Sequence, residues 1–95
     1  MKIKIELTKS LANDAGFKEM SLDIPNKSKL SLNDALSEFI KKSSRMKDLL
    51  YESDGTLNYH IMIFINDKPL QSSEEDSVQV RDGDTIHIYP IIGGG

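Results

Sequence analysis

The chain contains no cysteine and no tryptophan. Without a thiol there is no disulfide, no thiolate metal centre and no cysteine nucleophile, and the composition fits a reducing compartment. Long apolar runs are missing as well. No stretch approaches the roughly 18 residues a helix needs to span a bilayer. The start, Met1-Lys2-Ile3-Lys4-Ile5-Glu6, alternates instead of forming the continuous apolar core of a secretion signal. The cytoplasm is the expected location, with no membrane as partner. An excess of positive charge is also absent: twelve Lys and Arg stand against fifteen Asp and Glu, a net charge of −3. Nucleic acid is not an expected partner, because phosphate neutralisation needs clustered cations.

Patterns that carry catalysis are equally scarce. Asn13-Asp14-Ala15-Gly16 lacks the Gly-Lys-Ser/Thr of a phosphate loop. The two histidines, His60 and His87, have no carboxylate at ligand spacing, so no metal is expected. Asp82-Gly83-Asp84 lacks the further oxygen ligands of a calcium loop and reads as a hairpin turn. Spacing alone supports no Ser–His–acid arrangement.

What is present is the patterning of one small folded domain. At 95 residues the chain is long enough for a single core, and 38% hydrophobic residues against 28% charged exclude wholesale disorder. Ile3, Ile5 and Leu7 alternate with Lys2, Lys4 and Glu6, the period of a strand with one buried face. Ser10 to Gly16 reads as a connection with one helical turn. Met20, Leu22 and Ile24 alternate with Glu19, Ser21 and Asp23 in a second strand that Pro25-Asn26 ends. Ser31 is a helix N-cap with Asp34 three positions on. Leu32, Ala35, Leu36, Phe39 and Ile40 then share one helix face, with Lys41 and Lys42 at the cation-favouring end. A short helical turn is expected over Arg45 to Tyr51. Tyr59 to Ile65, apolar on both faces, is the expected central strand, with Tyr59, Ile61, Ile63 and Ile65 on one face and His60, Met62 and Phe64 on the other. Asn66-Asp67-Lys68-Pro69 is a turn, Glu74-Glu75-Asp76 a solvated loop, and Thr85 to Tyr89 the last strand, with Ile86 and Ile88 inward. The order predicts an α+β domain whose sheet packs one face on one main helix.

The most unusual feature is the end of the chain. Three of the six glycines are Gly93, Gly94 and Gly95. At a background near 7% glycine, such a run at a fixed place has a chance of roughly 3 in 10,000. Residues without Cβ atoms thread a narrow slot and carry a terminal carboxylate into a partner. From Pro90 to Gly95 the reach is at most about 18 Å. A frayed terminus or a cloning scar is the plain alternative.

Three motifs give the whole chain a family resemblance: Phe64-Ile65-Asn66-Asp67, Asp82-Gly83-Asp84-Thr85-Ile86, and Tyr89-Pro90-Ile91-Ile92-Gly93-Gly94-Gly95. Together they resemble the β-grasp, ubiquitin-like sulfur carriers, and most nearly the small subunit of molybdopterin synthase, MoaD, relatives of the thiamine-pathway carrier ThiS. Tyr89-Pro90 stands where that family usually shows two prolines, and three glycines stand where it shows two. The resemblance implies a β-grasp domain over residues 1–90 and a flexible tail over 91–95. It implies that the Gly95 carboxylate is adenylated by a ubiquitin-activating-type partner that uses ATP, and is then converted to a thiocarboxylate. The sulfur would pass into the large subunit of a heterotetrameric synthase that makes the dithiolene of the molybdenum or tungsten cofactor. The carrier would bind no cofactor and would not be an enzyme on its own.

Strand arithmetic adds a docking patch. Met62, Phe64, His87 and Tyr89 point to the sheet face away from the helix, and Ile91 and Ile92 continue toward the tail. Cover by this chain's own loops is the alternative. Two other functions share the pattern. One is an archaeal ubiquitin-like modifier whose Gly95 joins protein lysines. The other is a β-grasp interaction module whose glycine end is incidental.

Overall fold

A computed structural model of the protein describes residues 1–26, 28–58, 60–69 and 78–90. In chain order the elements are β1 (Lys2–Leu7), α1 (Lys9–Ala15), β2 (Glu19–Asp23), β3 (Lys29–Ser31), α2 (Leu32–Lys42), α3 (Ser44–Leu50), β4 (Ile61–Ile65), β5 (Lys68–Pro69), β6 (Gln79–Arg81) and β7 (Thr85–Pro90). The main sheet has the order β2-β1-β7-β4-β5, and β3 with β6 makes a separate two-stranded sheet. β1 pairs antiparallel with β2 and parallel with β7, while β4 pairs antiparallel with β7 and with β5. This is the expected β-grasp architecture.

The period-2 residues form the sheet's inner face. Ile3, Ile5, Leu7, Leu22, Ile63, Ile86 and Ile88 are all buried, and the core is completed by Leu32, Ala35, Leu36 and Phe39 of α2 and by Met46 and Leu50 of α3. α2 starts where the sequence says, because Ser31 Oγ accepts a hydrogen bond from the Asp34 amide at 3.1 Å. Its last turn carries Lys41 and Lys42, and Ser43 is the C-cap. Phe39 is fully buried and meets Phe17 edge to face at 5.9 Å between ring centroids.

Four expectations need correction. The segment after β1 is not a connection with one turn but a seven-residue helix, closed by Gly16 at φ 89°. Leu11 and Ala15 anchor it to the core, so tertiary burial supplies what the polar composition hides. The central strand is β7, not β4. On its far side, among the described residues, β4 pairs with the two residues of β5, at Phe64 and Ile65. Its second apolar face reflects exposure on the open side of the sheet, not burial between layers. Asp82-Gly83-Asp84 turns the chain but joins no hairpin: β6 before it pairs with β3, and β7 after it enters the main sheet. Finally, His60 lies in an exposed turn before β4, its amide donating to Asn58 Oδ1, and is not a strand residue beside Met62. Tyr59 and Glu74-Glu75-Asp76 lie outside the described residues.

Truncating the fully packed ring tests the core. Phe39→Ala is expected to cost about 3–5 kcal/mol in urea unfolding, against about 1 kcal/mol for loss of the cap in Ser31→Ala.

Candidate functional site

The alternation that buries one face of the sheet leaves the other face to the remaining side chains. All three helices contribute to the core side. The opposite face carries Lys2, Lys4 and Glu6 from β1, Glu19, Ser21 and Asp23 from β2, Thr85, His87 and Tyr89 from β7, and Met62 and Phe64 from β4. Met62 stands opposite Tyr89 and Phe64 opposite His87 in the β4–β7 register. The four residues proposed from the sequence therefore form one surface.

Their contacts define its chemistry. The rings of Phe64 and Tyr89 meet edge to face at 5.4 Å, and His87 stacks on Tyr89 at 6.2 Å with the planes 12° apart. These rings brace one another, so Phe64 and His87 are half-buried while Met62 and Tyr89 are 40% and 39% exposed. Met62 and Tyr89 are the exposed large hydrophobic residues of the described chain. On the β1 side His87 Nδ1 lies 3.1 Å from Glu6 Oε2, which fixes the imidazole plane parallel to Tyr89. The result is an apolar, aromatic patch with a polar rim, the composition of an interface centre.

Beside the patch, two sequence motifs lock together. Asn66 adopts the left-handed region at φ 56°, which asparagine tolerates better than most residues. Its side chain donates to Asp84 Oδ1 and accepts from the Thr85 amide, both at 3.0 Å, and its own amide donates to the Thr85 carbonyl at 2.8 Å. Asp84 Oδ2 also accepts from the Arg81 amide, and Asp82 Oδ1 from the Lys2 amide. The turn after β4 is thus clamped to the start of β7. The clamp thereby fixes the first residue of the strand that ends at Pro90. Ile91, Ile92, Gly93, Gly94 and Gly95 lie outside the described residues.

A concavity of about 1140 Å³ lies between α2, α3 and the loop that follows, lined by Asn33, Ile40, Lys47, Tyr51 and Asp54 among others. The Asp54 carboxyl is held below its ordinary pKa, first by the Thr56 hydroxyl and then by the Thr56 amide, which donate to Oδ1 at 2.6 and 3.0 Å. The bonds belong to the charged form, so this small contribution is present above the usual aspartate range and lost as pH falls below it. Among the described residues no group of three His, Cys, Asp or Glu is placed to hold a metal ion. No described helix is long and apolar enough to cross a membrane.

The surface, the clamp and the departing strand are therefore one assembly, and the family model that matches residues 13–95 is that of the ThiS family. The chain belongs to the ThiS family. It is a family of ubiquitin-like sulfur carriers and modifiers, small proteins that in general are not enzymes themselves. Over 67 residues the chain is 28% identical to an Archaeoglobus fulgidus protein whose name proposes a sulfur carrier, covering 70% of this chain and 76% of that one. The crystal structure of SAMP1 from Haloferax volcanii superposes with a TM-score of 0.83 at 21% identity over 100% of both chains. The solution structure of small archaeal modifier protein 1 from Methanosarcina acetivorans gives a TM-score of 0.76 at 26% identity, covering 99% of this chain and 96% of that one.

Sequence reasoning missed the clamp in this ThiS-family chain. In sequence, Phe64-Ile65-Asn66-Asp67 and Asp82-Gly83-Asp84 read as separate turns. The available signal was an Asn at a turn position paired with an Asp-Gly-Asp turn, two sets of side chains that satisfy backbone amides. Removing the clamp separates its two roles. Asn66→Gly keeps the left-handed backbone and loses the side-chain bonds, whereas Asn66→Ala loses both. The alanine variant is expected to be the less stable by about 1–2 kcal/mol in chemical denaturation.

Proposed function

We propose that this protein is a sulfur carrier whose Gly95 carboxylate is the reacting group. A ubiquitin-activating-type enzyme would use ATP to convert that carboxylate to an acyl adenylate with release of pyrophosphate. Sulfur at the hydrosulfide level then attacks the acyl carbon, the C–O bond to AMP breaks, a proton is lost, and a thiocarboxylate remains at Gly95. The supporting observation is the joint one: a ThiS-family match that runs through residue 95, and a central strand, braced by the Asn66 clamp, that leads to Pro90 beside an aromatic patch. Gly93, Gly94 and Gly95 supply a lead thin enough for an active-site slot. The patch of Met62, Phe64, His87 and Tyr89, continued by Ile91 and Ile92, is the proposed docking surface for the activating enzyme and for the acceptor.

The acceptor we favour is the large subunit of a molybdopterin synthase, in a heterotetramer that forms the dithiolene of the molybdenum or tungsten cofactor. Phe64-Ile65-Asn66-Asp67 and Asp82-Gly83-Asp84-Thr85-Ile86, the MoaD-like motifs, support that choice. A second reading is favoured by the 26% identity to the Methanosarcina acetivorans modifier across almost the full chain: the same activated Gly95 is transferred to lysine amines of other proteins. Both readings share the adenylation and differ in the nucleophile.

Mass spectrometry of the protein purified from its own cells separates them. A gain of about 16 Da, oxygen replaced by sulfur at the terminus, is expected for the carrier. Glycine remnants on lysines of other proteins are expected for the modifier. Neither mark, together with full function after deletion of Gly94 and Gly95, returns the chain to a plain interaction module. The docking surface is tested by Met62→Asp combined with Tyr89→Asp. Both side chains are exposed, so the fold is expected to survive while affinity for the activating enzyme falls at least tenfold, as for truncation of aromatic anchors worth about 2 kcal/mol. Unchanged affinity removes the assignment.

A further inference from the structure

Among the described residues no strand pairs with the outer edge of β2, and the polarity of that edge can be read from the ladder. Leu7 donates its amide to the Lys18 carbonyl at 2.9 Å, and Met1 and Ile24 exchange bonds at 2.9 and 2.8 Å. Hydrogen-bonded pairs alternate along an antiparallel ladder. Lys18, Met20, Leu22 and Ile24 therefore turn their backbone groups toward β1. Glu19, Ser21 and Asp23 turn theirs away, and no described group pairs with them. All three are exposed. β2 contains no proline and, in its unbroken register with β1, no bulge; what guards this short edge is the charge of Glu19 and Asp23, which a basic strand would satisfy.

Charge indicates which strand this edge accepts. Across the open face β1 presents Lys2 opposite Asp23, and Lys4 Nζ lies 3.6 Å from Glu19 Oε1. Glu6 of β1 stands directly opposite Glu19, so Lys2 and Lys4 do not balance the acidic side chains along this flank, and the strand that continues the sheet most favourably is basic. A second copy of this chain does not fit. A two-fold antiparallel pairing centred on Ser21 would set Glu19 against Asp23 twice, and like charges directly opposite are destabilising.

We propose that the β2 edge binds an extended basic segment of a partner protein as an additional antiparallel strand. In that segment Lys or Arg stand opposite Glu19 and Asp23, a small residue stands opposite Ser21, and apolar residues between them cover half-buried Met20 beside Leu22. Basic–apolar–small–apolar–basic is thus the recognised pattern. Main-chain bonds to Glu19, Ser21 and Asp23 provide attachment and the alternate side chains provide selectivity. The edge is three strands from β4, roughly 14 Å at about 4.8 Å per strand, so it is separate from the patch around Met62 and does not depend on chemistry at Gly95.

The test is a titration of the isotope-labelled full chain with the peptide acetyl-GKVSVKG-amide, followed by amide chemical shifts. Saturable shifts centred on Glu19, Ser21 and Asp23, with slowed hydrogen exchange at those amides, are expected. Glu19→Gln combined with Asp23→Asn should raise the dissociation constant about fivefold, the scale of two exposed ion pairs. N-methylation of the peptide's serine, which removes the central inter-strand donor without altering the protein, should abolish the shifts. Shifts confined to the Met62 and Tyr89 face, an affinity indifferent to both changes, no binding at millimolar peptide, or a free protein that sediments as a dimer paired through β2 would each overturn the proposal.

Discussion

The parallel pairing of β1 with β7 is the constraint on which the rest of the fold depends. It joins the first strand to the last, in a register that runs from Lys4 with Thr85 to Leu7 with Ile88. Parallel strands need a long crossover, and here nearly the whole chain serves as one. α1, β2, α2, α3 and β4 all fall between the two partners. The pair is secured at its start by side chains as well as by the ladder. Lys2 donates to Asp82 and Lys4 to the Asp84 carbonyl, while Gly83 donates back to Lys2. The turn before β7 therefore positions β1, and through Asn66 it positions β4 as well.

The proposed function draws on the placing of β7 at the middle of the sheet. A tail attached to an edge strand would inherit that edge's freedom to fray. Here the strand that leads to Pro90 has β1 on one side and β4 on the other, and its inward residues Ile86 and Ile88 are fully buried. Its outward residues His87 and Tyr89 belong to the aromatic patch. The proposed docking surface and the buried anchor of the strand that leads to Pro90 are thus alternate residues of a single strand.

Much of this was legible in the sequence, for reasons that differ by element. The strands β1, β2, β4 and β7 showed because Ile3, Ile5, Leu7, Leu22, Ile63, Ile86 and Ile88 alternate with polar or exposed neighbours, and α2 showed because five apolar residues at helical spacing follow a capping serine. What stayed hidden is short or non-local. β3 and β6 have three residues each and one apolar side chain apiece, Leu30 and Val80, too little for a period. α1 is held by Leu11 and Ala15 against a core that forms elsewhere. The exchange of places between β4 and β7 was invisible because residues apolar on both faces look the same whether a second layer or a prospective partner covers them. The patch residues themselves were found by simple parity, since once β4 and β7 are antiparallel neighbours Met62 must face Tyr89.

The arrangement of β1 and β7 has a mechanical corollary. Their parallel ladder means that tension applied between the beginning of β1 and the end of β7 slides the two strands along one another. All their inter-strand bonds bear the load together, and β4 adds a second row on the other side of the pulled strand. Peeling, which breaks such bonds one at a time, is unavailable in that direction. Pulling the end of β7 away from the beginning of β1 therefore shears two ladders at once, whereas force applied across the β2 flank meets one among the described strands.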